Sequence, residues 1–306
     1  MDTTDAAAGR GAHNETGGTG TRHASDQFAG ADGTRLHFQA WLPGEPGSDE
    51  ATAVRAAVAV VHGYGDHGGR YGWLGEAMAA RGVAVYVYDL RGHGLSSGTR
   101  GQIGRFDEYL DDTEAFLGDV RRRQPGKPLF LLGHSLGGLI CTRLAEERPP
   151  DVAGLVLSSP FLALVADVPP SKVVGAKLLA VVWPGRDIGN TVQAADLSRD
   201  PGVVASYVTD PLVHHVAPAR WAARTLAAQE AAMADAGRIA LPLYLLYGTN
   251  DPVADPAYAE ALFDRVASED KTVRAYRDLL HECFNEVGRE QVFADLAEWI
   301  TERLER

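Results

Sequence analysis

Four consecutive apolar residues, Leu129-Phe130-Leu131-Leu132, run directly into Gly133-His134-Ser135-Leu136-Gly137-Gly138. Such a run fits a strand buried on both faces, as in a parallel sheet covered by helices. Behind the serine, Leu136, Leu139, Ile140 and Leu144 recur at helical spacing, so a helix begins at once. Ser135 therefore stands on a sharp strand-to-helix turn, and the flanking glycines of G-x-S-x-G leave room for strained backbone and a neighbouring chain. A serine that merely caps a helix would not require glycine on both sides. A hydroxyl carried on such a turn points out of the sheet, where a base can reach it.

A hydroxyl is a weak nucleophile near neutral pH, so it needs a base, and the base needs an orienting carboxylate. On sheets with this turn the acid follows the serine in the chain and the histidine comes last. Leu243-Tyr244-Leu245-Leu246-Tyr247 reads as a buried strand ending in Gly248-Thr249-Asn250-Asp251-Pro252, which sets Asp251 just past a strand end. A further strand near 272–276 runs into Arg277-Asp278-Leu279-Leu280-His281, ahead of a final helix. Of ten histidines, His281 is the only one past residue 215 and is the expected base. Asp251 is the expected acid, with two competitors. Asp255 precedes Pro256 and reads as a helix N-cap. Asp278 is a loop neighbour of His281, badly placed to reach its ring.

Acyl chemistry also needs two N–H donors for the developing oxyanion. One is the Leu136 amide, directly after the serine. The other should follow the early strand Ala57-Val58-Ala59-Val60-Val61, where His62-Gly63-Tyr64-Gly65 turns under the serine and aims the Tyr64 amide at it. His62, His93 and His134 read as hydrogen-bonded structural histidines.

Strands are expected near 35–42, 57–62, 83–88, 128–133, 153–158, 242–247 and 271–276, alternating with helical stretches. That pattern is an α/β chain with a mostly parallel sheet and helices on both faces. Residues 1–27, rich in Gly, Thr, Ala and Asp, read as a disordered leader. The core then occupies 28–159 and 241–306. Between them, 160–240 show helical patterns without a strand, too long for an ordinary connection, and imply a helical cap over the strand edge that carries Ser135. Within it, residues 172–183 hold Val173, Val174, Ala176, Leu178, Leu179, Val181, Val182 and Trp183. Two readings stand: a lid helix that meets lipid on one face and lines an acyl tunnel with the other, or a cap helix packed on its neighbours.

With these residues in place, the chain resembles the α/β-hydrolase superfamily, and within it the monoacylglycerol lipase and lysophospholipase group, from about residue 27 onward. The carrying segments are His62-Gly63-Tyr64-Gly65-Asp66-His67-Gly68-Gly69-Arg70-Tyr71, Asp89-Leu90-Arg91-Gly92-His93-Gly94, and Gly133-His134-Ser135-Leu136-Gly137-Gly138. The resemblance implies cofactor-free hydrolysis of single-chain acyl esters, with Ser135, Asp251 and His281 as triad and Tyr64 and Leu136 as oxyanion donors. Tyr64 stands where a smaller side chain often appears, which would narrow the oxyanion side of the pocket. Glu282-Cys283-Phe284-Asn285 behind the base is a second departure.

A length of 306 residues accommodates one α/β domain with an insertion, and a formal charge of −12 disfavours nucleic acid and anionic membrane as default partners. No secretory signal, membrane-spanning run, phosphate loop or metal-ligand spacing stands out, and the adjacent His214-His215 do not face one site. The expected setting is cytoplasmic or peripheral to a membrane, with a small acyl ester as partner, transient lipid contact through the cap, and no cofactor or metal. Cys141 and Cys283 are too few for a disulfide framework. Cys283 reads either as a source of thiol sensitivity or as a bland loop thiol. The basic run Arg121-Arg122-Arg123 suits a helix C-terminus. Rival activities are a thioesterase or an acyltransferase with the same triad, and from another class a binding protein that keeps the fold without turnover.

Overall fold

The computed structural model describes residues 20–44, 54–165, 170–189 and 192–306, without the side chains of residues 170–174 and 176. Eight strands form one sheet: β1 (Thr21–Ala29), β2 (Arg35–Pro43), β3 (Ala56–Val61), β4 (Val83–Tyr88), β5 (Leu129–His134), β6 (Gly154–Ser158), β7 (Leu243–Gly248) and β8 (Lys271–Tyr276). Their order is β1-β2-β4-β3-β5-β6-β7-β8. β2 runs antiparallel to both neighbours, and the rest are parallel from β4 across to β8.

The period-2 geometry of a strand divides each apolar run between the two faces. Ala57, Ala59 and Val61 of β3 join one core cluster, whereas Ala56, Val58 and Val60 join the other. Leu129 and Leu131 of β5 likewise face away from Phe130 and Leu132. Helices α1 (Gly72–Ala79) and α8 (Arg289–Leu304) cover one side with Leu74, Met78, Phe293 and Trp299. Helices α2 (Asp107–Arg123), α3 (Leu136–Glu147) and α7 (Pro256–Arg265) cover the other. α2 ends on the arginine run, where Arg122 and Arg123 turn back to Asp119.

The seven expected strands occur with ends within a residue of their expected positions, and the α/β class is borne out. The expected disordered leader is corrected at its C-terminal end. Residues 21–27 belong to β1, which pairs with β2 in full register from Thr21↔Pro43 to Ala29↔Arg35; residues 1–19 of the expected leader lie outside the described residues. β1 escaped sequence reading because it is an edge strand whose residues are almost all exposed, leaving no apolar alternation to detect. Its anchor is Phe28, which packs on Phe38, Tyr88 and Phe116.

Among the described residues between β6 and β7 the chain forms three α-helices, α4 (Pro170–Val182), α5 (Pro201–Thr209) and α6 (Ala219–Asp235). Among the described residues this stretch contributes no strand to the sheet, only the isolated bridges Leu164↔Ala254 and Asp187↔Pro218. α6 packs on both α3 and α4, and Arg143 of α3 reaches Asp235 of α6 at 3.1 Å. Residues 173 and 174, singled out from the sequence, have no described side chain. Leu178, Val181, Val182 and Trp183 are exposed, Val181 and Val182 by more than four-fifths.

Phe28→Ala should remove the anchor of β1 and cost about 3 kcal/mol, at the low end for a buried Phe truncation because the strand lies at an edge. Urea denaturation followed by tryptophan fluorescence measures it; a loss well under about 1 kcal/mol would show that β1 is held by its backbone ladder instead.

Candidate active site

Ser135 stands at the junction of β5 and α3 with φ 52° and ψ −117°, a conformation a non-glycine residue holds only under external constraint. Its N–H donates to Ser158 O at 3.0 Å, and its carbonyl accepts from Leu139 and Phe161 N–H at 3.1 and 2.9 Å. Those bonds tie the turn to β6, to the first turn of α3 and to the chain beyond β6. The flanking glycines are demanded by crowding. A Cβ on Gly137 would sit 2.0 Å from Val61 O, and one on Gly133 would sit 2.3 Å from Gly137 O. The first turn of α3 is thus pressed against the end of β3, and the loop after β3 meets the serine there. A Cβ on Gly63 would lie 3.3 Å from Ser135 Cβ.

Asp251 and His281 are brought together by a second close approach. A Cβ on Gly248 would collide with Leu279 O and Leu280 O at 2.2 and 2.3 Å, so the loop after β8 crosses directly over the end of β7. The bond from Asn250 N–H to Leu279 O holds that crossing. His281 Nδ1 then donates to Asp251 Oδ2 at 2.8 Å, and Asp251 Oδ1 accepts from Val253 and Ala254 N–H at 2.8 and 3.0 Å. Both side chains are buried. The bond to Asp251 places the imidazole proton on Nδ1 and leaves Nε2 as the acceptor, the tautomer a general base requires. Asp255 instead caps α7 by accepting from Ala257 N–H, and Asp278 is an exposed residue at φ 63°.

Burial opposes the charge on Asp251, but the adjacent His281 and three hydrogen bonds hold its carboxyl below the usual range. Burial likewise works against protonating His281, and is outweighed by the charge and hydrogen bond of Asp251, with Glu282 and Asp66 adding to it, so its pKa is raised above 6.5. His134, whose ring centre lies 4.9 Å from that of His281, goes the other way. Burial and then the charge of His281 lower it to about 4, so it stays neutral beside the base. His62 is a structural histidine, with Nδ1 donating to Gly63 O and Nε2 accepting from Leu90 N–H. Cys283 is fully buried, which pushes its thiol up to about 12 and leaves the bland reading of that residue.

Ser135, His281, Gly63 and Tyr64 line one cavity with Phe161, Leu164, Val253 and residues of the inserted segment. The Leu136 N–H belongs to the first turn of α3, where helix amides have no intrahelical acceptor. The segment carrying the Tyr64 amide is clamped from the inserted side. Tyr64 Oη lies 2.8 Å from Val216 O and 3.1 Å from Gly101 O, His214 N–H donates to Gly65 O, and His67 Nε2 meets Asp210 Oδ2 at 2.9 Å. Sequence reading noted Tyr64 but missed this clamp, whose partners on the inserted side, Val216, His214 and Asp210, lie about 150 residues away.

It also missed a buried ion network at the polar end of the cavity. Arg70 binds Glu282 through both Nη atoms at 2.7 and 2.8 Å and Asp66 at 3.0 Å, while Asn285 Nδ2 donates to Glu282. Asp66 and Arg70 belonged to a segment read only for its overall pattern; Glu282 was noted as a departure. The four-residue spacing of Asp66 ahead of Arg70, which lies on the short turn Gly68–Tyr71, was the available signal.

Comparison with known proteins gives a consistent result. A family model described as serine aminopeptidase, S33, matches residues 52–288. The chain is 36% identical to a monoacylglycerol lipase of Mycolicibacterium smegmatis over 90% of its length and 96% of that protein's. It is 32% identical to the monoglyceride lipase of Homo sapiens, covering 89% of each. The crystal structure of Paleococcus ferrophilus monoacylglycerol lipase aligns with a TM-score of 0.75 at 32% identity, covering 92% of this chain and 99% of that one. The α/β-hydrolase fold and the family expected from the motifs are both borne out.

For ester hydrolysis, kcat/KM should rise with pH through a single limb above the ordinary histidine value of 6.5, because His281 must lose its proton before it can accept one. Asp251→Asn should move that limb down and lower kcat on the order of 10⁴-fold through the wrong tautomer. A pH–rate profile of both proteins measures this, and a flat wild-type profile from about pH 5 to 9 would exclude a histidine base.

Proposed function

Because the chain belongs to the serine aminopeptidase S33 family, we infer that it is a serine ester hydrolase acting on monoacylglycerols and similar single-chain acyl esters. What supports this reading above all is one apolar-walled cavity lined by both Ser135 and the Asp251-bonded His281. Nε2 of His281 takes the Ser135 proton as Oγ attacks the ester carbonyl carbon. The carbonyl oxygen gains the negative charge and is met by the Tyr64 and Leu136 amides. Collapse of the tetrahedral intermediate breaks the bond to the alcohol, which leaves with the proton held by His281. Water then gives its proton to His281, attacks the acyl-enzyme and releases the fatty acid, returning Ser135 to its starting form.

The family description names a peptidase, but the carboxylates at the cavity's polar end favour an ester. Recognition of a substrate ammonium needs a carboxylate free to pair with it. Asp66 and Glu282 are both engaged by Arg70. The oxyanion loop, held against α6 and its preceding segment, suits a site whose donors are fixed before substrate arrives.

Residues 160–240 act in this reading as a cap over the cavity, to which they contribute Ile188, Leu197, Tyr207, Ala217 and Trp221. Its exposed Leu178, Val181, Val182 and Trp183 form the surface that meets lipid aggregates transiently in a cytoplasmic setting. Among the described residues no helix is long and apolar enough to cross a membrane.

Fluorophosphonate should label Ser135, as read by peptide mass spectrometry, and Ser135→Ala should abolish labelling and lower kcat by about 10⁵–10⁶-fold. A loss below about a hundredfold would place the nucleophile elsewhere. Replacing Leu178 and Val181 by Asp should weaken co-flotation with neutral liposomes while hydrolysis of a water-soluble ester continues; equal flotation would remove the cap from the lipid contact.

A further inference from the structure

The cavity that holds Ser135 and His281 has a volume of about 200 Å³. An engineered cavity of roughly 150 Å³ binds benzene, six carbons, so about 200 Å³ corresponds to roughly eight non-hydrogen atoms. A chain of sixteen or eighteen carbons would need more room than this, or a way out at the far end.

Two of the lining side chains are aromatic rings in contact with each other. Tyr64 and Trp221 stack with centroids 3.6 Å apart and planes 22° from parallel. Neither ring is placed to swing aside. The Tyr64 hydroxyl is held between Val216 O and Gly101 O, and the His93 and His214 rings lie against Tyr64, at centroid distances of 5.1 and 5.3 Å. Trp221 is buried in the core cluster shared by α2, α3 and α6. Leu164 and Ile188, which also line the cavity, are 37% and 44% exposed and so lie toward solvent. Ala222 lies on α6 one residue from Trp221 and also lines the cavity.

We propose that the stacked Tyr64 and Trp221 rings form the end wall of the acyl pocket and make this enzyme selective for medium-length acyl chains of about eight carbons. The proposal rests on the serine ester hydrolase reading and adds its substrate class. The physical basis is that each methylene buried in the pocket gains about fourfold in binding, whereas one that meets a fixed aromatic wall cannot be buried. Specificity therefore climbs with chain length up to the wall and falls beyond it.

The test is kcat/KM for p-nitrophenyl esters of two to sixteen carbons, each below its aggregation concentration, on the wild type, Trp221→Ala and Ala222→Phe. Fluorophosphonate labelling rates measured in parallel report whether each protein retains a working serine. The wild type should peak at about eight carbons. Trp221→Ala removes about nine non-hydrogen atoms from the wall and should move the peak to about twelve or more. Ala222→Phe should move it the opposite way, to about four carbons. Opposed shifts would not follow from general loss of structure, and Ala222→Phe carries the test should Trp221→Ala fail to fold. A wild-type peak at fourteen or sixteen carbons, or an unmoved peak in a labelled variant, overturns the wall while leaving the hydrolase intact. A wild type that cleaves no ester and takes no fluorophosphonate overturns the hydrolase reading itself, and the wall with it.

Discussion

The carbonyl of Val61 lies where a methyl group on Gly137 would have to sit, and the rest of the site depends on that close approach. It presses the first turn of α3 against the end of β3, so the helix N-terminus, the strained serine and the loop after β3 occupy one small volume. A helix N-terminus presents unpaired N–H groups and a positive dipole end. The Tyr64 segment comes to the same place, so the two candidate oxyanion donors, the Tyr64 and Leu136 amides, belong to segments that meet at Ser135. The strain at Ser135 is sustained by three backbone bonds that reach β6, α3 and the chain beyond β6, so the surrounding fold holds the unfavourable dihedrals in place.

A second crossing of the same kind brings Asp251 and His281, the candidate acid and base, together. Gly248 allows the loop after β8 to lie on the end of β7, which converts a separation of thirty residues into a hydrogen bond of 2.8 Å. The electrostatics around that bond are graded. Carboxylates raise the proton affinity of His281, while burial keeps the neighbouring His134 neutral and free of repulsion with a protonated base. The site thus contains one histidine tuned to titrate and another kept from doing so, although both are buried.

The inserted segment does more than line the cavity. Through Val216, His214 and Asp210, in the link between α5 and α6, it holds residues 64–67, which include the candidate oxyanion donor Tyr64, and through Trp221 it bounds the cavity. On the proposed reading, the cavity wall and the candidate oxyanion donor Tyr64 therefore share one structural support, and motion of the insertion relative to the sheet would alter both together.

Much of this was legible in the chain. Buried strands announce themselves as unbroken apolar runs, and the strand–glycine–serine–glycine–helix order leaves little latitude for what it can build. Asp251 and His281 could be named because chain order and strand ends restrict the choices, and Asp255 could be set aside because Pro256 marks a helix start. β1 was illegible because an exposed edge strand carries no hydrophobic period. The Arg70–Glu282 network, the clamp on Tyr64 and the Tyr64–Trp221 stack were illegible for a different reason. Each joins segments more than a hundred residues apart, and such pairings are set by how the layers pack rather than by any local pattern. The sequence by itself determined seven of the eight strands and the sharp turn at Ser135, and singled out Asp251 and His281 as its candidate partners, because those follow from short-range periodicity, chain order and glycine placement. Only the tertiary structure decided the size of the cavity beside Ser135 and the proton affinity of His281, because both depend on which distant side chains are forced into contact.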